Sequence, residues 1–265
     1  MIMDIYSCLS SVREKSPLVH HLTNWVTIYD CAQVVKSFGG SPVMAHAVEE
    51  VEEMISIASA LVINIGTLTT DFIESAQRAA VAANRRGLPV VLDVCGAGAT
   101  QFRDRKSMEL LEGARIDIIK GNASEVARVA GYVVKTKGVD SSEVQEDLKS
   151  IAEKLAAGRS CTVVITGKQD VVAGNSKIYY VDNGNDMMAG VVGTGCMAAS
   201  VIGTFAGANP EDYAFAAAAG LSCYEIAAEM AVEKAGGPGT FRGHLLDCVT
   251  QLTEDIVIKK QKVRS

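Results

Sequence analysis

Four short segments of this chain are apolar almost from end to end: ALVINIG (Ala60–Gly66), LPVVLDV (Leu88–Val94), IDIIKG (Ile116–Gly121) and CTVVITG (Cys161–Gly167). A strand with no polar face has to be covered on both sides, which is the condition of a parallel sheet between two helical layers. The intervening stretches read as helices. TTDFIESAQRAAVAANRRG has Thr69 or Thr70 as its cap, acidic early turns, basic late turns and Gly87 as its stop. Helical character also spans roughly Asp104–Glu112 and Ser141–Ala157, and NASEVARVAG reads as a short helix capped by Asn122 with Gly131 closing it. DVVAGNSKIYYV differs, because two short strands around Gly174-Asn175 read as a hairpin at the sheet edge. The last third is helical over Met197–Ala206, Pro210–Ala235 and Thr240 to about Lys259. No linker or repeat interrupts the pattern. The expected fold class is α/β, one domain over residues 1–265, with a mainly parallel central sheet, helices on both faces and an edge hairpin.

Composition removes several classes of function. A net charge of −6 with no basic patch argues against nucleic acid as a partner. The basic tail Lys259–Arg264 reads as a solvated end. Seven cysteines, at 8, 31, 95, 161, 196, 223 and 248, form no closely spaced metal-binding pairs. That odd, scattered set points to a reducing cytoplasm. The N-terminus has no basic start followed by a long apolar run, so no signal peptide is expected. Met187–Pro210 lacks charged residues over about two dozen positions, a length that could span a bilayer. Its five glycines and unanchored flanks favour a buried loop and helix, so no membrane association is expected.

In an open parallel sheet, ligands bind beyond the carboxyl ends of the strands. Asp93 ends one apolar segment, Lys120, Gly121, Asn122 and Glu125 follow another, and Thr166, Gly167 and Lys168 follow a third. Together they would form a rim suited to a nucleotide and Mg²⁺. Each has an ordinary alternative: Asp93 as a turn residue, Glu125 as the partner of Asn122 in a capping box, Lys120 as a surface lysine. VVGTGCMAAS (Val191–Ser200) sets Gly193, Thr194 and Gly195 ahead of Cys196 at the start of a helix. Free N–H groups there suit an anion, and the same field would ease ionisation of the thiol, although a free cysteine taken alone reads as a buried, inert one. The turn is no P-loop, because the final Lys-Ser/Thr pair is absent. Nearer the N-terminus, His20, His21, Thr23, Asn24 and Trp25 precede a helix ending near Gly39-Gly40, and SPVMAH presents Met44 and His46. These could line a small apolar pocket, or be core and hydrogen-bonded structural residues.

Taken together, PLVHHLTNWV, GGSPVMAHAVEEVEEM, ALVINIGTL, GLPVVLDVCGAGAT, IIKGNASE, VITG and GTGCMAAS resemble hydroxyethylthiazole kinase, the thiamine-salvage family of the ribokinase-like superfamily. The resemblance covers nearly the whole chain in the family's order. It implies ATP, Mg²⁺, phosphorylation of the primary alcohol of hydroxyethylthiazole, and a homotrimer with the thiazole site near subunit contacts. It places Asn24, Met44 and Gly193 at the substrate, Gly193–Gly195 at the anion hole, and Lys120 and Thr166 at ATP. Asp93 and Glu125 fall where Mg²⁺ and its waters are organised. Cys196 falls where most ribokinase-like enzymes carry an aspartate base.

The chain departs from the family pattern at four places. Lys120 stands for an arginine, Val94-Cys95 for Pro-Val, His21 for an asparagine, and Asn185-Asp186 for His-Pro. Two other functions compete: an ATP-dependent dehydratase of hydrated nicotinamide nucleotide, and a non-catalytic nucleotide sensor with Cys196 as a redox switch. The small-pocket segment argues against the first, and the joint presence of Asp93, Glu125 and Cys196 against the second.

Overall fold

In the computed structural model, which describes residues 4–133, 147–174 and 176–265, the four apolar segments become neighbouring parallel strands. The elements run α1 (Ile5–Lys15), β1 (Leu18–Leu22), α2 (Ile28–Phe38), β2 (Ser41–Val43), α3 (Val51–Ile57), β3 (Ala60–Asn64) and α4 (Thr70–Arg86). They continue with β4 (Val90–Asp93), α5 (Gln101–Gly113), β5 (Ile118–Asn122), α6 (Ala123–Val129), α7 (Leu148–Arg159) and β6 (Thr162–Thr166). The chain then forms β7 (Asp170–Gly174), β8 (Lys177–Val181), a 3₁₀ turn (Asp186–Gly190), α8 (Thr194–Ala208) and α9 (Tyr213–Val232). It closes with α10 (Pro238–Thr250), α11 (Glu254–Lys260) and β9 (Val263–Arg264).

The nine strands lie in the order β2-β1-β3-β4-β5-β6-β7-β8-β9. Pairing is parallel from β2 to β6 and antiparallel from β6 to β9. Alternate strand residues feed two cores. Val62, Val91, Ile118 and Val164 pack in the core shared with α1, α2, α8 and α9. Leu61, Ile63, Leu92 and Val163 pack in the core shared with α3, α4 and α7. This is the expected two-sided burial.

Local chemistry sets the element ends. Thr69 caps α4 by accepting from the Phe72 N–H at 3.1 Å, and Gly87 closes it in the left-handed region. Thr100 caps α5 in the same way, starting that helix three residues before the expected Asp104.

Other expectations are corrected. The stretch from Thr240 to Lys259 is two helices, because Thr253 caps a second one, α11. The basic tail does not end free in solvent: Val263 and Arg264 add a short strand to β8, outside the hairpin, and Lys262 pairs with Glu229 at 2.9 Å. The expected start of the helix over Ser141–Ala157, and Asn175 of the hairpin turn, lie outside the described residues. Met187–Pro210, by contrast, is the expected loop and helix: it takes in most of the 3₁₀ turn and then α8, 15 residues long and largely buried from Met197 on. One described helix, α9, is long and apolar enough to cross a bilayer, yet 78% of that stretch is buried within the fold. It is the central helix of its layer.

Chain direction matters for the site. From β1 the chain moves outward to β2, then crosses back to β3 on the other flank of β1. The two connections diverge at the carboxyl ends of β1 and β3, where this class of sheet opens its ligand crevice.

Candidate active site

The register of three parallel strands builds the floor of that crevice. Asn64 of β3 stands opposite Asp93 of β4, which stands opposite Lys120 of β5. A polar row crosses the carboxyl edge of a sheet that is otherwise apolar. Asn64 Nδ2 donates to Asp93 Oδ2 at 2.7 Å, and Lys120 Nζ donates to the same oxygen at 3.3 Å. Asp93 is 1% exposed and Lys120 4%. Burial works against the lysine's charge, but Asp93 and Glu125 outweigh it and raise its affinity for the proton. Lys120 is therefore a buried cation, not a surface lysine. It also donates to the Gly195 carbonyl at 2.9 Å, which ties the sheet to the glycine turn.

The turn is shaped as its sequence requires. Gly193 has φ +97°, and a Cβ there would sit 2.6 Å from Thr27 Cγ2. Glycine is needed both for the backbone conformation and for the close approach. The first helical hydrogen bond of α8 runs from Met197 N–H to Gly193 C=O at 2.8 Å. The N–H groups of Thr194, Gly195 and Cys196 thus have no partner within the helix, as expected of a first turn.

Cys196 sits at this first turn, partly exposed. Asn24 Nδ2 donates to its sulfur at 3.3 Å and to Asn64 Oδ1 at 3.0 Å. The Thr27 N–H donates to Asn24 Oδ1 at 3.1 Å, and a backbone N–H can only donate, which fixes the orientation of that amide. A hydrogen bond from Cys95 pulls the Cys196 thiol down, burial opposes, and Lys120 adds to the pull; the result is about 5. The balance favours the thiolate over the thiol.

Glu125 forms the capping box with Asn122. Its two carboxylate oxygens accept from the Gly96 N–H at 2.7 Å and the Asn122 N–H at 2.8 Å. The ordinary alternative for Glu125 is thus realised, and it holds the carboxylate rigidly beside the loop after β4. Thr166 ends β6 opposite Asn122, its hydroxyl donating to the Gly121 carbonyl at 3.4 Å.

Asp93 Oδ1 is buried with no hydrogen-bond partner among the described residues. Such an orphaned acceptor fits a hydrated divalent cation, which needs only one or two carboxylates when water completes its shell. Among the described residues no cluster of three or more His, Cys, Asp or Glu could form a full protein cage. The donor set suits Mg²⁺ bound largely through water.

The N-terminal segment divides. His20 and His21 are fully buried in β1, bonded to the carbonyls of Ala45 and Val19, and burial lowers the affinity of both for a proton. They are structural. His46 accepts from the Thr23 N–H at 3.1 Å and bonds the Met44 carbonyl at 3.0 Å, fastening the loop after β2 to the end of β1. Met44 is half-buried in that loop. A cavity of about 420 Å³ opens at His46, lined also by Trp25, Thr69 and Phe72 among others, and Met44 is not among its lining residues. Asp93, Lys120 and Cys196 are not among its lining residues, so the cavity neighbours the reactive crevice and does not contain it.

The sequence profile of the hydroxyethylthiazole kinase family matches residues 9–255. The chain is 49% identical over 255 residues to the hydroxyethylthiazole kinase of Methanosarcina mazei, covering 96% of this chain and 97% of that one.

The chain belongs to the hydroxyethylthiazole kinase family.

A solved structure of a hydroxyethylthiazole kinase protein from Pyrococcus horikoshii superposes with a TM-score of 0.89 at 38% identity, covering 98% of both chains. The ADP/ATP-dependent NAD(P)H-hydrate dehydratase of Bacillus subtilis, co-crystallised with ATP/Mg²⁺, gives a TM-score of 0.60 at 16% identity and covers 93% of this chain and 95% of that one. That more distant likeness shows the ribokinase-like fold alone. Family membership therefore favours the kinase over the dehydratase reading.

Sequence reasoning missed three contributors to the candidate site of this hydroxyethylthiazole kinase family member. Asn64 was legible only as a polar residue inside an apolar run. Thr27 has no motif of its own. Arg103 bonds the carbonyls of Ile65, Gly66 and Cys95, locking the loops after β3 and β4 together.

Proposed function

We propose that this kinase transfers the γ-phosphoryl group of ATP to the primary alcohol of hydroxyethylthiazole, with Cys196 beside the reacting hydroxyl. The observation that carries the reading is the place of Cys196 at the open first turn of α8, its sulfur held by Asn24 and its thiol drawn down by Lys120. Its family relatives are named for this reaction. Phosphoryl transfer asks the protein mainly to position and to stabilise charge.

Asn24, Met44 and Gly193 are assigned to the thiazole. The N–H groups of the Gly193–Gly195 turn are assigned to the transferring phosphoryl, as an anion hole. Lys120 uses two of its three ammonium donors on Asp93 and Gly195, which leaves one for a phosphate oxygen. Thr166 supplies a hydroxyl at the ATP side. The Cys196 thiolate accepts the proton that leaves the alcohol as its oxygen attacks phosphorus. Asp93 and Glu125 would hold Mg²⁺ and its waters, which when bound supply positive charge against the phosphates.

ADP release on adding hydroxyethylthiazole to enzyme, ATP and Mg²⁺ is the expected result. No ADP above background from correctly folded protein, over a range of divalent metals, contradicts the assignment.

A homotrimer is part of the same proposal. Trp25, Val26, Tyr29 and Val192 are all exposed at the mouth of the crevice, where Thr27 packs on Gly193. Such an apolar rim is suited to burial against another copy. Light scattering at micromolar concentration is expected to give three times the 28.0 kDa chain mass; a monomer mass excludes it. Seven free thiols support placing the enzyme in a reducing cytoplasm.

A further inference from the structure

The charged residues of α9 are Glu225 and Glu229, in a helix that is otherwise apolar or small. Glu225 is 6% exposed and faces Asp170, the first residue of β7, which is 2% exposed. Asp170 Oδ2 and Glu225 Oε2 have no hydrogen-bond donor among the described residues, yet a side-chain hydrogen bond links the two carboxyl groups. Buried carboxylates this close cannot both ionise, and one proton between them resolves the conflict.

The pair has a mechanical connection to the crevice. The other Asp170 oxygen, Oδ1, accepts from the Gly167 N–H at 2.9 Å, directly after Thr166. On its far side the Glu225 carboxyl carbon lies 3.5 Å from where a Cβ of Gly184 would stand, and the Gly184 N–H donates to Glu229 at 3.1 Å. The core helix thus grips the loop after β6 and the segment after β8 through its two acids.

We infer that Asp170 and Glu225 share one proton, and that this proton fixes the Thr166–Gly167 loop for the nucleotide, making both positioning residues for ATP. The inference rests on the assignment of Thr166 to the ATP side. Burial raises both groups, Asp170 to about 6 and Glu225 well above the usual carboxylate range, with Glu225 as donor. Lys120 of β5 favours ionisation of Asp170, while Glu229 of α9 and Asp182 after β8 hold the proton on Glu225. Because the folded pair binds its proton more tightly than free carboxylates do, the one-proton link is present above the Asp170 value of about 6 and is lost as pH rises through the higher Glu225 value. ATP affinity falls with it.

Two measurements test this. Infrared spectra at neutral pH, taken without nucleotide, are expected to show the carbonyl stretch of a buried carboxylic acid that Glu225→Gln removes; if no such band is removed, the shared proton does not exist. Calorimetry with a non-hydrolysable ATP analogue and Mg²⁺, run upward from neutral pH where the phosphates are already ionised, is expected to show affinity falling by about tenfold, the loss of one charge-assisted hydrogen bond. Glu225→Gln, whose amide donates to Asp170 at every pH, is expected to abolish that fall. A pH-independent wild type, or a Gln variant that keeps the fall, overturns the inference. If the analogue fails to bind wild type at all, the nucleotide assignment fails, while the infrared band still decides the proton.

Discussion

Replacing Asp93 with asparagine is expected to lower turnover by roughly 10²- to 10³-fold, the range for losing one preorganised electrostatic contact. The substitution keeps the shape and can still accept from Asn64, but it removes the charge that faces Lys120 and the orphaned oxygen assigned to Mg²⁺. Stability falls as well. Lys120 has a 5% exposed side chain and would lose the carboxylate charge opposite it, and losing one partner of a buried ion pair costs about 3–5 kcal/mol. A drop in both quantities could thus arise from the pair alone. The double variant Asp93→Asn with Lys120→Met separates the contributions, because methionine takes the unpaired charge out of the core. Its melting temperature is expected to recover much of the loss, which assigns the stability cost to the ion pair, while the Mg²⁺ dependence of the single variant's turnover tests the metal role. Near-normal turnover of Asp93→Asn across a Mg²⁺ titration would show that Asp93 only holds the sheet edge together.

The same residues show what the sequence could and could not disclose. The strands from β3 to β6 were legible because burial on both faces leaves no alternation to misread. The caps Thr69 and Asn122 were legible because capping is decided within a few residues. β1 was not, because LVHHL carries two histidines, and only its place between β2 and β3 makes them neutral core groups. β9 was hidden for a related reason: two residues of a basic tail become a strand only when β8 offers an open edge. At the site, Asp93, Lys120 and Thr166 could be named from their places at the ends of apolar segments, and Cys196 from its glycine turn; the resemblance gave all four their roles. Their order across the floor could not be named, because Asn64, Asp93 and Lys120 meet through register between segments about 30 residues apart. Glu125 was open between two readings at the sequence level, and its geometry shows the capping box is compatible with a place at the rim.

Cys196→Ala is expected to reduce turnover by roughly 10²- to 10⁴-fold, the usual range for losing general-base assistance. ATP affinity should stay nearly unchanged, because the N–H groups of the turn belong to the backbone and survive the substitution. With the thiol at about 5, wild-type activity should fall as pH drops through that value, since protonation removes the base. Cys196→Asp is the more searching variant. Asn24 donates to the sulfur, Cys95 and Lys120 act to lower its proton affinity, and the first turn of α8 favours negative charge. Every one of these contacts serves a carboxylate as well as a thiolate, so the aspartate variant should keep measurable turnover and a melting temperature close to wild type. If Cys196 were packing alone, the forecast reverses: alanine would be nearly neutral for turnover, and a buried carboxylate would destabilise the fold. Turnover, its acid limb and the melting temperature of both variants separate the two cases. An alanine variant as active as wild type removes Cys196 from the reaction.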